Sequence, residues 1–189
     1  EEALMAGDSK ALDLQEKVRS VESEMISNKP ITASGMFKFF RAGSEGDAVV
    51  FLSPNGKREL ERFRFGRQSL GEGLGLADYV LPASEEKPDY LAAFVTTIGP
   101  GVEELAACWQ ANGDYLAAHI LRILALEGAE AFAELLHQRI RSMWGFSDTP
   151  VIEKKELFRT NYRGRRFSFG YPACPRLEDQ GKLWGLLNP

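Results

Sequence analysis

The sequence predicts an α+β fold. Two observations carry that prediction. Three short strand-like segments follow one another between residues 35 and 65 with tight turns between them, and residues 102–144 keep helical spacing almost throughout. Successive strands joined by short turns favour an antiparallel meander over alternating βαβ units. A length of 189 residues fits one domain, or one domain with a short appendage.

Taken in order, residues 1–27 read as an amphipathic helix with Leu12, Leu14, Val18, Val21 and Met25 roughly along one side. Gly7-Asp8 is its start signal and Asn28-Lys29-Pro30 its stop. Residues 1–28 are therefore expected to be a helical extension or linker, and 29–189 the domain proper. Gly35–Phe40 and Ala48–Leu52 flank Gly43-Ser44-Glu45-Gly46, which reads as a hairpin. Pro54-Asn55-Gly56 is the next turn, before Leu60–Phe65, where apolar and charged residues alternate from Arg62 on. Gly71-Glu72-Gly73-Leu74-Gly75 has G-x-G-x-G spacing, not that of a dinucleotide fingerprint, and reads as a loop. Tyr90–Thr97 is an apolar strand leading into Gly99-Pro100-Gly101, a helix-starting turn, since Glu104 stands where a third fingerprint glycine would fall. A helix begins near Val102 and stops at Asn112-Gly113. Asp114 then caps a helix whose apolar positions, from Leu116 to Met143, keep helical spacing through Trp144. Its 31 residues would span about 46 Å, with Gly128 in the middle as a kink or a point of close packing. A helix of that length is expected to cross the sheet, giving one core between two layers.

Composition excludes several classes. Hydrophobic content of 44% with 26% charged residues is that of a globular chain. Apolar runs are far shorter than the roughly 20 residues that span a bilayer, and no secretory signal pattern is present. Two cysteines point to a reducing compartment, so a soluble, cytoplasmic chain is expected. The net charge of −4 is unevenly spread. Residues 84–134 hold nine acids against Lys87 and Arg122, whereas 151–176 hold seven bases (Lys154, Lys155, Arg159, Arg163, Arg165, Arg166 and Arg176) against Glu153 and Glu156. A basic stretch in an acidic chain is a solvated face or a site for an anionic group.

Little standard chemistry survives inspection. His119 and His137 stand five helical turns apart, about 27 Å on a straight helix, and cannot share one metal ion. Both read as packing or surface residues. Cys108 and Cys174 lack a C-x-x-C partner, and no G-x-S-x-G elbow exists. What remains is Tyr162-Arg163-Gly164-Arg165-Arg166-Phe167-Ser168-Phe169-Gly170-Tyr171-Pro172-Ala173-Cys174-Pro175, a strand-like alternation running into a rigid turn. Arginines beside aromatics suit a carboxylate-bearing ligand or stacked nucleobases. The other candidate is Leu76–Pro82, whose one carboxylate, Asp78, is expected to be buried and to need a partner, either Arg67 or a ligand ammonium.

Leu76–Pro82, the stretch Ala129–His137, Trp144-Gly145 and above all Gly170–Pro175 closely resemble the activation domain of cobalamin-dependent methionine synthase, in the same order over residues about 28–187. The resemblance implies a curved single domain, a twisted antiparallel sheet packed against long helices. It implies a domain that binds S-adenosylmethionine and supports reductive methylation of cob(II)alamin to methylcobalamin. The cobalamin sits on a neighbouring domain of the same or another chain, the electron comes from a flavodoxin-type donor, and zinc belongs only to a separate homocysteine domain. By matching motif positions, the resemblance implies that Asp78 holds the cationic end of the ligand and Arg166 its carboxylate. Tyr171, Pro172 and Ala173 line the adenosyl groove, and Glu130 lies near the site. No residue need act as an acid or base, and none holds a metal.

Phe167-Ser168-Phe169 departs from the family, whose members often carry a proline-alanine-proline stretch there. The family also continues into further strands that complete the site, so these 189 residues alone are expected to bind the ligand weakly or not at all. Two other readings remain: a non-catalytic docking module for a corrinoid-binding protein, touching it through the acidic 84–134 region, and nucleic-acid binding by Arg163–Tyr171. The net negative charge and the lack of any broader basic stripe count against nucleic acid.

Overall fold

The structure, a computed structural model, describes residues 2–27, 31–69, 71–148 and 162–188. Lys154, Lys155 and Arg159 of the basic stretch lie outside them. The elements are α1 (Glu2–Met5), α2 (Ser9–Ser27), β1 (Thr32–Glu45), β2 (Ala48–Leu52), β3 (Glu59–Arg64), β4 (Asp89–Gly99), α3 (Val102–Ala111), α4 (Tyr115–Met143) and α5 (Asp179–Leu187). A 3-10 turn covers Leu76–Tyr79. The four strands form one sheet in the order β3-β2-β1-β4, with β1–β2 and β2–β3 antiparallel. The α+β class expected from the sequence is the class observed. Among the described residues no helix is long and apolar enough to cross a membrane.

The residues group into two compact units, 1–35 with 96–136, and 36–95 with 137–189. Each has its own apolar cluster, where the sequence suggested one shared core. In the first unit Val21 of α2, Val102 and Ala106 of α3, and Ala118, Leu121 and Ala125 of α4 are buried together. Asp8 caps α2 by accepting the Ala11 N–H at 2.9 Å, and Asp114 caps α4 by accepting that of Ala117 at 3.1 Å. Asp114 also takes Lys17 Nζ at 2.6 Å. Gly113, at φ +83°, supplies the left-handed turn that ends α3. Gly128 serves packing: a Cβ there would stand 3.3 Å from Ile98 Cγ1.

In the second unit the cluster joins Phe40, Ala42, Val49, Phe51 and Phe63 of the sheet to Ala77, Val80, Ala93 and Leu187. Here the hairpin departs from the reading over 43–46. The strand runs on to Glu45, opposite Ala48, and Gly46-Asp47 alone makes the turn, with Gly46 at φ +57°. Gly43 lies inside the strand, paired with Val50, because the 81–83 segment crosses its face. The Ser44 N–H reaches the Leu81 carbonyl at 2.8 Å, and the Ala83 N–H the Ser44 carbonyl at 3.0 Å. A Cβ on Gly43 would meet Ala83 Cα at 2.6 Å. Gly43→Ala is therefore expected to destabilise the protein by roughly 1–3 kcal/mol, because backbone, not a flexible side-chain end, must yield. A urea midpoint unchanged from the parent would contradict this close approach.

Candidate functional site

Asp78 occupies the third position of the 3-10 turn. That turn sends Ala77 and Val80 inward and leaves Asp78 and Tyr79 outward. The expected buried carboxylate is therefore corrected: residue 78 is exposed, with its side chain 29% accessible. It does have the partner the sequence named. Arg67 Nη1 and Nη2 fork onto its two oxygens at 2.9 and 3.0 Å, and the Gly75 N–H donates to Oδ2 at 2.8 Å. The Gly75 amide and then the Arg67 guanidinium hold the Asp78 carboxyl below its ordinary value. Its interactions are thus present at and above the ordinary carboxylate range and are lost only as pH falls through the lower folded value. Arg67 also donates through Nε to Asp47 at 2.9 Å and through Nη1 to the Gly73 carbonyl at 3.1 Å. With the Gln68 N–H on the Leu74 carbonyl at 3.0 Å, this closes the glycine-dense loop.

The basic-aromatic stretch forms no strand over residues 162–170. Tyr162, Arg163, Phe167 and Phe169 each meet a different neighbour, which breaks the two-residue alternation. The Tyr162 ring lies 3.8 Å from the Arg141 guanidinium, Arg163 stands over Phe146 at 5.0 Å, and Phe169 stacks on Phe63 at 5.8 Å. Gly164 takes φ +88° against the Arg141 side chain. Phe167 meets Tyr79 with ring centroids 6.2 Å apart. That contact brings the immediate neighbour of Asp78 against the immediate neighbour of Arg166, so the two segments meet within one unit. Arg166 itself is half-buried.

The Tyr-Pro turn is tight. The Cys174 N–H donates to the Tyr171 carbonyl at 2.9 Å, and the Gly170 N–H to the Cys174 carbonyl at 2.9 Å. Gly170, at φ +94°, lets Leu177 approach, since a Cβ there would stand 3.0 Å from it. Tyr171 and Pro172 are exposed and Ala173 half-buried. Cys174 is buried, and its thiol donates to the Ser168 carbonyl at 2.8 Å. Burial, with the Asp179 charge second, pushes that thiol pKa up, so Cys174 is a packing residue and not a nucleophile. An open concavity of about 410 Å³ is lined by Asp47 and Gly66 on one side and by Cys174, Pro175, Arg176 and Asp179 on the other. Neither Asp78 nor Arg166 lines it.

Glu130 is exposed on α4 and belongs to the other compact unit. His119 is exposed, whereas His137 is buried. Sequence reading missed what surrounds His137. Its Nδ1 lies 2.9 Å from Arg141 Nη1, and Arg141 forks onto Asp148, Nη2–Oδ2 at 2.5 Å and Nε–Oδ1 at 3.2 Å. The spacing of His137 and Arg141, one helical turn apart beside Leu136 and Ile140, was the available signal. Among the described residues no group of three or more His, Cys, Asp or Glu side chains is gathered for a metal.

The fold is that of a small α+β domain in which an aspartate-bearing loop meets an arginine–tyrosine–proline segment. The chain belongs to the family of vitamin B12 dependent methionine synthase activation domains, whose model matches residues 5–189. The methionine synthase of Mycobacterium tuberculosis (strain H37Rv) is 36% identical over 172 aligned residues, which cover 83% of this chain and 14% of that protein. That of Mycobacterium leprae is 34% identical over the same shares. The chain thus spans about one-seventh of the length of these curated relatives. Among solved structures, the crystal structure of the MetH reactivation domain bound to AdoHcy matches with a TM-score of 0.85 and 30% identity. The match covers 95% of this chain and 57% of that one.

Proposed function

We propose that this chain binds S-adenosylmethionine and supports reductive methylation of cob(II)alamin to methylcobalamin on a neighbouring cobalamin-binding domain. Its relatives are methionine synthases, which are methyltransferases, and this segment is the activation domain among their parts. The observation that supports the reading is the Tyr79–Phe167 contact, which sets the Asp78 loop beside the Arg166–Tyr171 segment. In this reading Asp78 takes the ligand ammonium. Arg166 forks onto its carboxylate, a planar two-bond arrangement that a lysine cannot reproduce. Tyr171, Pro172 and Ala173 line the adenosyl groove.

One electron from a flavodoxin-type donor and one methyl group from the sulfonium are consumed, and S-adenosylhomocysteine leaves as the thioether. The corrinoid supplies the nucleophilic metal, and zinc serves a separate homocysteine domain. No residue here transfers a proton. The protein's contribution is to hold the methyl group in line. Residues 1–28 serve as the helical extension of the domain at 29–189, and the protein works in the cytoplasm.

The test is a calorimetric titration of the intact gene product with S-adenosylhomocysteine. Saturable one-to-one binding is expected. Heats indistinguishable from buffer dilution would refute the reading and leave the docking module in its place. The Asp78 carboxyl is held low, so affinity is expected to be flat from pH 8 down to about 5, since an unperturbed carboxylate titrates near 4. A loss of binding already at pH 6 would show that another group takes the ammonium.

A further inference from the structure

Arg67 is placed between two carboxylates. Nε holds Asp47 at 2.9 Å while Nη1 and Nη2 hold Asp78 at 2.9 and 3.0 Å. One cation shared by two anions leaves the cluster with a net charge of −1, which favours a second cation. All three side chains are solvent-accessible, at 49% for Arg67, 54% for Asp47 and 29% for Asp78. Exposed pairs of this kind contribute little to stability, so a competing cation can displace one arm of the fork. Asp78 does not depend on Arg67 for its orientation, because the Gly75 N–H fixes Oδ2 from the other side at 2.8 Å.

We propose that Arg67 is the specificity-determining residue of the ammonium subsite: its guanidinium holds the place beside Asp78 that a ligand ammonium takes, and on binding it withdraws onto Asp47. This deepens the ligand reading above and rests on it. A bound ammonium gains Asp78 but must displace the guanidinium, so Arg67 sets how strongly the site distinguishes ligands with and without an amino group. The Asp47 tether keeps the displaced guanidinium nearby, ready to close over Asp78 when the ligand leaves.

The experiment compares S-adenosylhomocysteine with its deamino analogue, identical except for the missing amino group, on the intact gene product. The quantity read is the dissociation constant of the deamino analogue divided by that of S-adenosylhomocysteine. Arg67→Gln is expected to raise that ratio about fivefold, by release of one exposed ion pair. Asp47→Asn, which leaves Arg67 with Asp78 alone, is expected to lower it. Arg67 also holds the Gly73 carbonyl, so loosening of the loop would weaken both ligands together and leave the ratio unchanged. An unchanged or lowered ratio in Arg67→Gln, or a raised one in Asp47→Asn, overturns the proposal while binding by the parent persists. Failure of the parent to bind either compound would instead overturn the ligand reading itself.

Discussion

Replacing Arg141 by methionine is expected to lower the unfolding free energy by about 3–5 kcal/mol, because it strands a carboxylate that has almost no access to water. The Arg141 side chain is 2% accessible and that of Asp148 6%. Besides the fork onto Asp148, the guanidinium lies 2.9 Å from His137 Nδ1 and packs under the Tyr162 ring at 3.8 Å. Gln138 Nε2, which also reaches Asp148 at 3.3 Å, cannot replace a charge. Methionine keeps much of the apolar stem, so the loss is electrostatic and not a cavity. The pairing can be separated from its parts: Arg141→Met with Asp148→Leu is expected to recover at least half of the loss, since apolar replacement of a buried pair is often close to neutral. Urea unfolding with an unchanged slope measures both. A single-variant loss below about 1 kcal/mol would show that water reaches Asp148 after all.

This cluster also shows where sequence reading stops. Several strand and helix positions were legible because they follow from local patterns (Asp114 before a helical run, Gly101 before Val102, alternation from Arg62 to Phe65), whereas α5 was not read. The Gly43–Gly46 segment misled because glycine marks both turns and close crossings, and only the path of Ala83 tells them apart. Residues 162–170 misled for a related reason. Their aromatic and basic side chains alternate as in a strand, yet the aromatics are fixed by partners far away in sequence: Phe63, Tyr79 and Arg141. Asp78 was found through its motif and its Arg67 partner was foreseen, but its exposure was not. An apolar stretch in sequence is not an apolar surrounding when a 3-10 turn points two adjacent residues outward. The link of Arg67 to Asp47 was not anticipated, because it depends on how the β1–β2 turn faces the loop. The Arg141–Asp148 pair was invisible for the same cause, seven residues and a change of chain direction lying between its partners.

Arg166→Ala is expected to weaken S-adenosylhomocysteine binding about 100-fold, or 2.7 kcal/mol, the upper range for charge-assisted bonds to a carboxylate. The residue is half-buried and immediately precedes two anchored aromatics, Phe167 against Tyr79 and Phe169 against Phe63. Its backbone is therefore held in place whether or not the side chain is present. Arg166→Lys keeps the charge but loses the planar fork, so it is expected to recover no more than about tenfold of the affinity. The carboxylate itself can be interrogated: 5′-methylthioadenosine, which lacks the amino-acid part, should bind parent and Arg166→Ala alike. If the variant weakened that nucleoside just as much, Arg166 would act on the adenosyl groove and not on the carboxylate. Arg141 enters here too, because it packs against Tyr162, four residues before Arg166. Arg141→Met should therefore weaken the full ligand more than 5′-methylthioadenosine, through misplacement of Arg166. An Arg166→Ala protein that binds as tightly as the parent would remove the guanidinium from the site and, with it, the charge pairing on which the ligand assignment rests.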